Sequence, residues 1–159
     1  MDDPKNSVQL NIVVFSLDEL QYALDVSNVL RVVRAVEITP LPKSPAAISG
    51  VINYHGEFLP VIDVRSLFRL TKRNVRLEDQ FIIARSSQRR VVLAVDSVNG
   101  VHTLEQYRVV NSKESLPATV YLSGLTSIDH SIVLITDLEQ FLSMEEEHIL
   151  EEALSGDAL

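Results

Sequence analysis

The chain has 159 residues, a formal net charge of −8, no cysteine, and apolar side chains at 46% of its positions. The missing cysteine excludes a disulfide frame and thiolate chemistry. The acidic balance argues against general affinity for nucleic acid or anionic membrane, because phosphate contacts need clustered Lys and Arg. No apolar run reaches the ~18 residues of a membrane span. The opening MDDPKNS also lacks a basic-then-apolar signal segment, so a soluble cytoplasmic protein is expected.

Residues 1–7 read as disordered. Segment 8–17 alternates as a strand, Asp18-Glu19 makes a turn, and 22–26 is a second strand. Segment 29–36 is a strand whose wet face carries Arg31 and Arg34. Pro40, Pro42 and Pro45 forbid regular pairing and mark a structured loop, with one helical turn at 45–48. A hairpin follows: Gly50 opens its first strand, His55-Gly56 turns it, and 58–62 is the return. Asp63 then caps a brief helix at 64–68. Arg65, Arg69, Lys72, Arg73 and Arg76 make the connection basic, as a solvated loop or a docking patch for an acidic surface. Segments 80–85 and 91–98 form the next hairpin, turned by Ser86-Ser87-Gln88. Asn99-Gly100 signals a bend or bulge, and 101–104 continues as a strand. Segment 107–119 is irregular, and the last hairpin turns at Asp129-His130. From Ser143 a capping box with Glu146 opens an amphipathic helix of about 143–154, followed by Gly156. Its expected role is packing over the β structure; docking to a partner is the other reading.

The chain repeats itself. At an offset of 74, Gly50, Leu59, Val61, Asp63, Val64, Leu67 and Phe68 fall on Gly124, Val133, Ile135, Asp137, Leu138, Phe141 and Leu142. At an offset of 69, Tyr22, Leu24, Val26, Val29 and Val32 fall on Val91, Leu93, Val95, Val98 and Val101. Two β-rich units of ~70 residues are each too small to be comfortable alone, so a shared core is expected.

Reactive constellations are scarce. His55, His102, His130 and His148 have no metal-ligand spacing. Asp63 and Asp137 are repeat equivalents, which makes them helix caps before they are an acid/base pair. Leu122-Ser123-Gly124 lacks the first glycine of a nucleophile elbow, and no glycine-rich phosphate loop exists. No catalytic, metal or cofactor residue is therefore assigned.

The order Tyr22-Ala23-Leu24, Val29, Pro40-Leu41-Pro42, Gly50-Val51-Ile52-Asn53-x-x-Gly56 and Leu59-Pro60-Val61-Ile62-Asp63 resembles the CheW-like coupling proteins of bacterial chemosensory arrays. In the second half, 92–96, Tyr121-Leu122-Ser123-Gly124-Leu125, 132–135 and the acidic C-terminal helix resemble them too. The resemblance implies a mainly β fold of two small five-stranded barrels sharing a core, plus the short C-terminal helix. The CheW-like domain would span 8–142, with barrels at roughly 8–75 and 76–142, and 143–159 as helix and tail. The implied function is a non-catalytic adaptor that uses no cofactor. Its partners would be the regulatory domain of a CheA-type histidine kinase and the cytoplasmic tip of a methyl-accepting chemotaxis receptor. It would associate with the membrane only through receptor arrays. The "purine-binding" label attached to such proteins finds no motif here. Candidate receptor contacts are Val29, Arg31, His55 and Ile83; the candidate kinase contact is Gly50; Asn53, Gly56, Pro60, Asp63, Gly124 and Asp137 carry the structural motif. Two positions depart from the family pattern. His55 replaces the arginine of Asn-x-Arg-Gly, and Arg31 replaces a glutamate. These departures are either surface drift or an interface rewritten for a divergent, non-flagellar pathway. A nucleic-acid-binding double barrel is the remote alternative; it would need a basic, aromatic face. An enzyme or ligand sensor built on these barrels is the remaining one.

Overall fold

A computed structural model describes residues 9–43, 47–105, 108–109 and 122–140. The strands are β1 (Leu10–Leu17), β2 (Leu20–Asp25), β3 (Val29–Arg34), β4 (Ile48–Tyr54), β5 (Glu57–Ile62), β6 (Gln80–Arg85), β7 (Arg90–Val95), β8 (Ser97–Leu104), β9 (Arg108–Val109), β10 (Leu122–Ile128) and β11 (Ser131–Thr136). A 3-10 turn at Val26–Asn28 precedes β3, capped by the Asp25 carboxylate, which accepts from the Ser27 N–H at 2.9 Å. The short helix α1 (Val64–Leu67) follows β5. The N-terminal 1–7, Pro45-Ala46 and the proposed helix at 143–154 lie outside the described residues. Arg108–Val109 pair with β10 inside a segment expected to be irregular.

Two mixed sheets result, ordered β8-β1-β2-β11-β10-β9 and β3-β6-β7-β5-β4. The expected mainly β fold of two small repeat-related units on a common core is what the chain forms, although barrel is a loose word for them. One sheet has six strands, and neither ladder closes on itself among the described residues. In the five-stranded sheet the gap between edge strands β3 and β4 is narrowed by an isolated bridge, Thr39 to Val51, with two backbone hydrogen bonds of 2.9 Å.

The division at 75/76 does not separate the sheets either. The β1–β2 hairpin of the first half joins β8, β10 and β11, while β6–β7 of the second half joins β3, β4 and β5. The exchange follows from apolar side chains on both faces of β1–β2. Ile12, Val14 and Ala23 pack with Leu104, Val133 and Ile135 inside the six-stranded sheet. Phe15, Leu17, Tyr22 and Leu24 face the other way, onto Ile62, Val64, Ile82, Ala84, Val91 and Leu93. A third cluster, Ile52, Leu59, Val61, Phe81, Ile83 and Val92, fills the five-stranded sheet. The expected shared core is therefore the layer between the sheets.

The repeat is visible in the register. Val61 pairs in parallel with Val92, and its repeat mate Ile135 pairs in parallel with Ala23. Ala84 faces Val29 as Phe15 faces Val98. The ladder slips between Ile48 and Gly50, and again between Leu122 and Gly124. Further slips fall between Val29 and Arg31 and opposite the Asn99-Gly100 signal of β8. Bulges at matched places bend both sheets alike. Both hairpin turns have two residues with positive φ, His55 (51°) and Gly56 (85°) in one, Asp129 (50°) and His130 (67°) in the other. That is the primed turn whose twist matches the flanking strands.

Candidate protein-docking surface

The structural-motif residues hold the β4–β5 hairpin and its repeat in shape. The Asn53 side-chain oxygen accepts the Gly56 N–H at 2.9 Å and braces the turn. Pro60 faces Val51 across β4–β5, and pairing with β7 starts only at Val61, so the ladder loses little from the missing proline N–H. Asp63 caps α1, accepting from the Ser66 N–H at 3.2 Å and the Ser66 hydroxyl at 2.9 Å. Asp137 does the same for the turn at 138–140, accepting from the Glu139 N–H at 3.0 Å. Gly124 lies at the bulge equivalent to that of Gly50.

Gly50, read from sequence as a kinase contact, is buried. A Cβ there would lie 2.3 Å from the Thr39 carbonyl oxygen and 2.7 Å from Ile38 Cγ2, and its φ is +150°. Its glycine lets the chain after β3 cross β4 closely. Ile83, read as a receptor anchor, is 1% exposed and belongs to the core of the five-stranded sheet. A β6 buried on both faces gives no alternation from which the inward residues are distinguishable. Val29 is half-buried and packs on the central core.

Arg31 and His55 are exposed, and the structure brings them together through a residue the sequence reading passed over, Tyr54. Arg31 and Val33 share one face of β3, and Val33 packs on the inner cluster of the five-stranded sheet. Tyr54 packs on the same cluster from β4. Arg31 Nη1 donates to the Tyr54 hydroxyl at 3.1 Å across the gap between the edge strands. That bond raises the pKa of Arg31, whose guanidinium is charged at any working pH in any case. The His55 ring meets the Tyr54 ring edge-on, centroids 4.3 Å apart at 70°. Nearby, Glu57 is engaged by Arg90 at 3.1 Å.

The basic connection proves to be partly interior. The Arg65 side chain is only 8% exposed. Its Nη1 reaches Asp18 at 2.9 Å and its Nη2 reaches Asp96 at 2.7 Å. Arg73 holds Asp79 with two bonds of 2.8 and 2.9 Å and also reaches Asp96. Asp18 N–H donates to Asp96 at 2.6 Å, and Arg76 N–H to Asp79 at 2.7 Å. Burial would raise the carboxyl pKa of Asp96, but the hydrogen bonds from Arg65 and Asp18 and the two guanidinium charges outweigh it and lower it. Asp79 is lowered in the same way, burial being outweighed by Arg73 and the Arg76 N–H. Burial, then the charge of Asp18, raises the Tyr22 phenol. These pairs fasten the β1–β2 turn, α1 and the connection to the end of β7. Arg65 and Arg73 are structural, not part of a free docking patch.

The exposed surface carries apolar side chains at repeat-equivalent positions. Phe58 on β5 is 71% exposed and Ile132 on β11 is 69% exposed. Two related sheets on one core, each presenting an apolar strand residue and a firm turn, define a β-rich docking scaffold. No helix among the described residues is long and apolar enough to cross a membrane.

Comparison with known proteins gives the scaffold its family. The family model of the CheW-like domain matches residues 11–146. The chain is 30% identical over 142 residues to the chemotaxis protein CheW of Klebsiella aerogenes, covering 88% of this chain and 86% of that one. It is 26% identical over 134 residues to CheW of Thermotoga maritima, covering 84% and 88%. The crystal structure of the scaffolding protein TtCheW from Thermoanaerobacter tengcongensis superposes with a TM-score of 0.74 at 31% identity, over 82% of this chain and 90% of that one. The chain belongs to the CheW family and is an adaptor of chemotaxis signalling.

Proposed function

We propose that the chain couples the regulatory domain of a CheA-type histidine kinase to the cytoplasmic tip of a methyl-accepting chemotaxis receptor, without catalysis and on the cytoplasmic side. The observation that carries this reading is the matched exposure of Phe58 and Ile132 on two pseudo-symmetric sheets. The two large apolar side chains at equivalent repeat positions are, in this reading, the anchors a related domain would cover. In this reading one or both of these strand faces take the kinase domain. Arg31 and His55, with half-buried Val29 at the start of the same strand as Arg31, face the receptor. Gly50 serves the kinase face indirectly by holding β4, and Ile83, opposite Arg31 in the β3–β6 register, serves the receptor side indirectly from the core.

The test is calorimetric titration of the kinase regulatory domain into wild type, Phe58→Glu and Ile132→Glu. At least one variant is expected to fold normally and lose about tenfold or more in affinity, as for a central apolar anchor. Wild-type affinity in both variants contradicts the assignment of the kinase face.

A further inference from the structure

We propose that Arg31, Tyr54 and His55 form a cradle for a single carboxylate, the Asp or Glu side chain of a helical receptor tip, with Tyr54 as the residue that positions Arg31. The inference rests on the coupling reading and specifies the chemistry of its receptor side.

The cradle presents hydrogen-bond donors and no acid. A guanidinium has five N–H donors. One of them goes to the Tyr54 hydroxyl, and among the described residues Arg31 has no carboxylate partner. A phenol that accepts from Arg31 through its oxygen keeps its own proton to donate. The guanidinium fork, the Tyr54 O–H and an imidazole N–H of His55 therefore share one exposed corner. Two of them are held in place: Tyr54 by packing on the buried cluster of the five-stranded sheet, His55 by the Tyr54 ring and by the left-handed turn that Asn53 braces. Glu57, the acid flanking the turn, is occupied by Arg90 and does not neutralise the corner. Pre-placed donors around a fork are the arrangement that takes a carboxylate with least ordering cost.

Two observations narrow the ligand. The chain carries a net charge of −8, which repels a polyanion and leaves a lone carboxylate on a protein as the compatible partner. The cradle also occurs once. Its repeat equivalents are Gly100, Ile128 and Asp129, which supply neither the cation nor the phenol. One receptor tip per chain follows.

The experiment titrates soluble hairpin fragments of the host's chemoreceptors against wild type, Arg31→Ala, Arg31→Lys, Tyr54→Phe and His55→Ala. It is repeated with fragments in which each tip Asp or Glu is changed to Asn or Gln. Arg31→Ala is expected to weaken binding about tenfold, the lower end for hydrogen bonds to a charged group, and Tyr54→Phe about three- to fivefold. Arg31→Lys should recover only part of the loss, because an ammonium lacks the fork. With one particular tip acid amidated, wild type and variants should bind alike, the signature of a coupled pair. Thermal midpoints and kinase-domain affinity should stay at wild-type values, which separates positioning from a folding role. Wild-type receptor affinity in both Arg31→Ala and Tyr54→Phe overturns the cradle, as does a loss that persists with every tip acid replaced. Variants that weaken binding to duplex DNA, or that change the sedimentation of the adaptor alone, assign the corner to a nucleic acid or a second copy and equally overturn it. If wild type binds kinase but no receptor fragment, the coupling reading fails and the cradle with it.

Discussion

Gly50→Ala probes how the open edge of the five-stranded sheet is held. The added Cβ would lie 2.3 Å from the Thr39 carbonyl oxygen, and the obstructing atom is backbone. Relief means moving Thr39, whose N–H and carbonyl both bond to Val51 at 2.9 Å. Gly50 also has φ of +150°, where an L side chain is strained. Backbone strain of about 1–3 kcal/mol and two hydrogen bonds of about 1 kcal/mol each give a cost of about 3–5 kcal/mol. Domains of this size unfold with about 5–15 kcal/mol, so the variant should stand near the edge of stability. Gly56→Ala is the control. Its φ is +85°, but no atom lies within 4 Å of the built Cβ, and about 1–2 kcal/mol is expected. Urea unfolding of both variants, followed by far-UV circular dichroism, gives the two differences. Gly50→Ala no more destabilised than Gly56→Ala refutes the close crossing as the reason for glycine. Gly50→Asp that folds at wild-type stability yet loses the kinase would return Gly50 to the contact surface.

Arg65→Ala removes the cation shared by Asp96 and Asp18, although Asp96 keeps Arg73 and Asp18 is half exposed; a cost of about 1–3 kcal/mol in the same urea assay is expected, and no measurable loss argues against the network. Acid stability follows from the same groups. The folded-state pKa values of Asp96 and Asp79 are lowered, so their contribution is fully present above the ordinary carboxylate range and is lost as pH falls through the folded values. Thermal midpoints should be flat from neutral pH down to about 5 and fall below about 4; Asp96→Asn should be less stable at neutral pH and show a shallower acid fall. Asp63→Ala removes the α1 cap and should cost about 1 kcal/mol, with no change in receptor or kinase affinity beyond what that loss produces.

Much of the fold is legible in residue order because hairpins are local. The His55-Gly56 and Asp129-His130 turns, the Asp63 and Asp137 caps and the Asn99-Gly100 bulge each announce themselves within a few positions. The exchange of β1–β2 and β6–β7 between sheets does not, since nothing within Phe15 or Tyr22 states which distant strand will cover them. Their burial from both sides is settled only by Leu138, Ile62 and the rest of the central core. The burial of Ile83 is illegible for a related reason: Phe81-Ile82-Ile83-Ala84 is apolar throughout, so neither face declares itself as the surface. Arg65 sits in a basic run that looks solvated, and only the fold brings Asp18 and Asp96 to it. At the proposed receptor corner Arg31 and His55 stand out as departures from the family pattern, whereas Tyr54 is silent until β3 and β4 are seen to flank one gap.

Coupling itself is tested most directly by vesicles decorated with receptor cytoplasmic fragments, pelleted with the kinase in the presence and absence of this chain. The kinase should sediment with receptor vesicles only when the chain is added, chain and kinase should enter the pellet together, and Arg31→Ala should lower both. Kinase that stays in the supernatant while the chain is bound, or that pellets equally well without it, contradicts the coupling function.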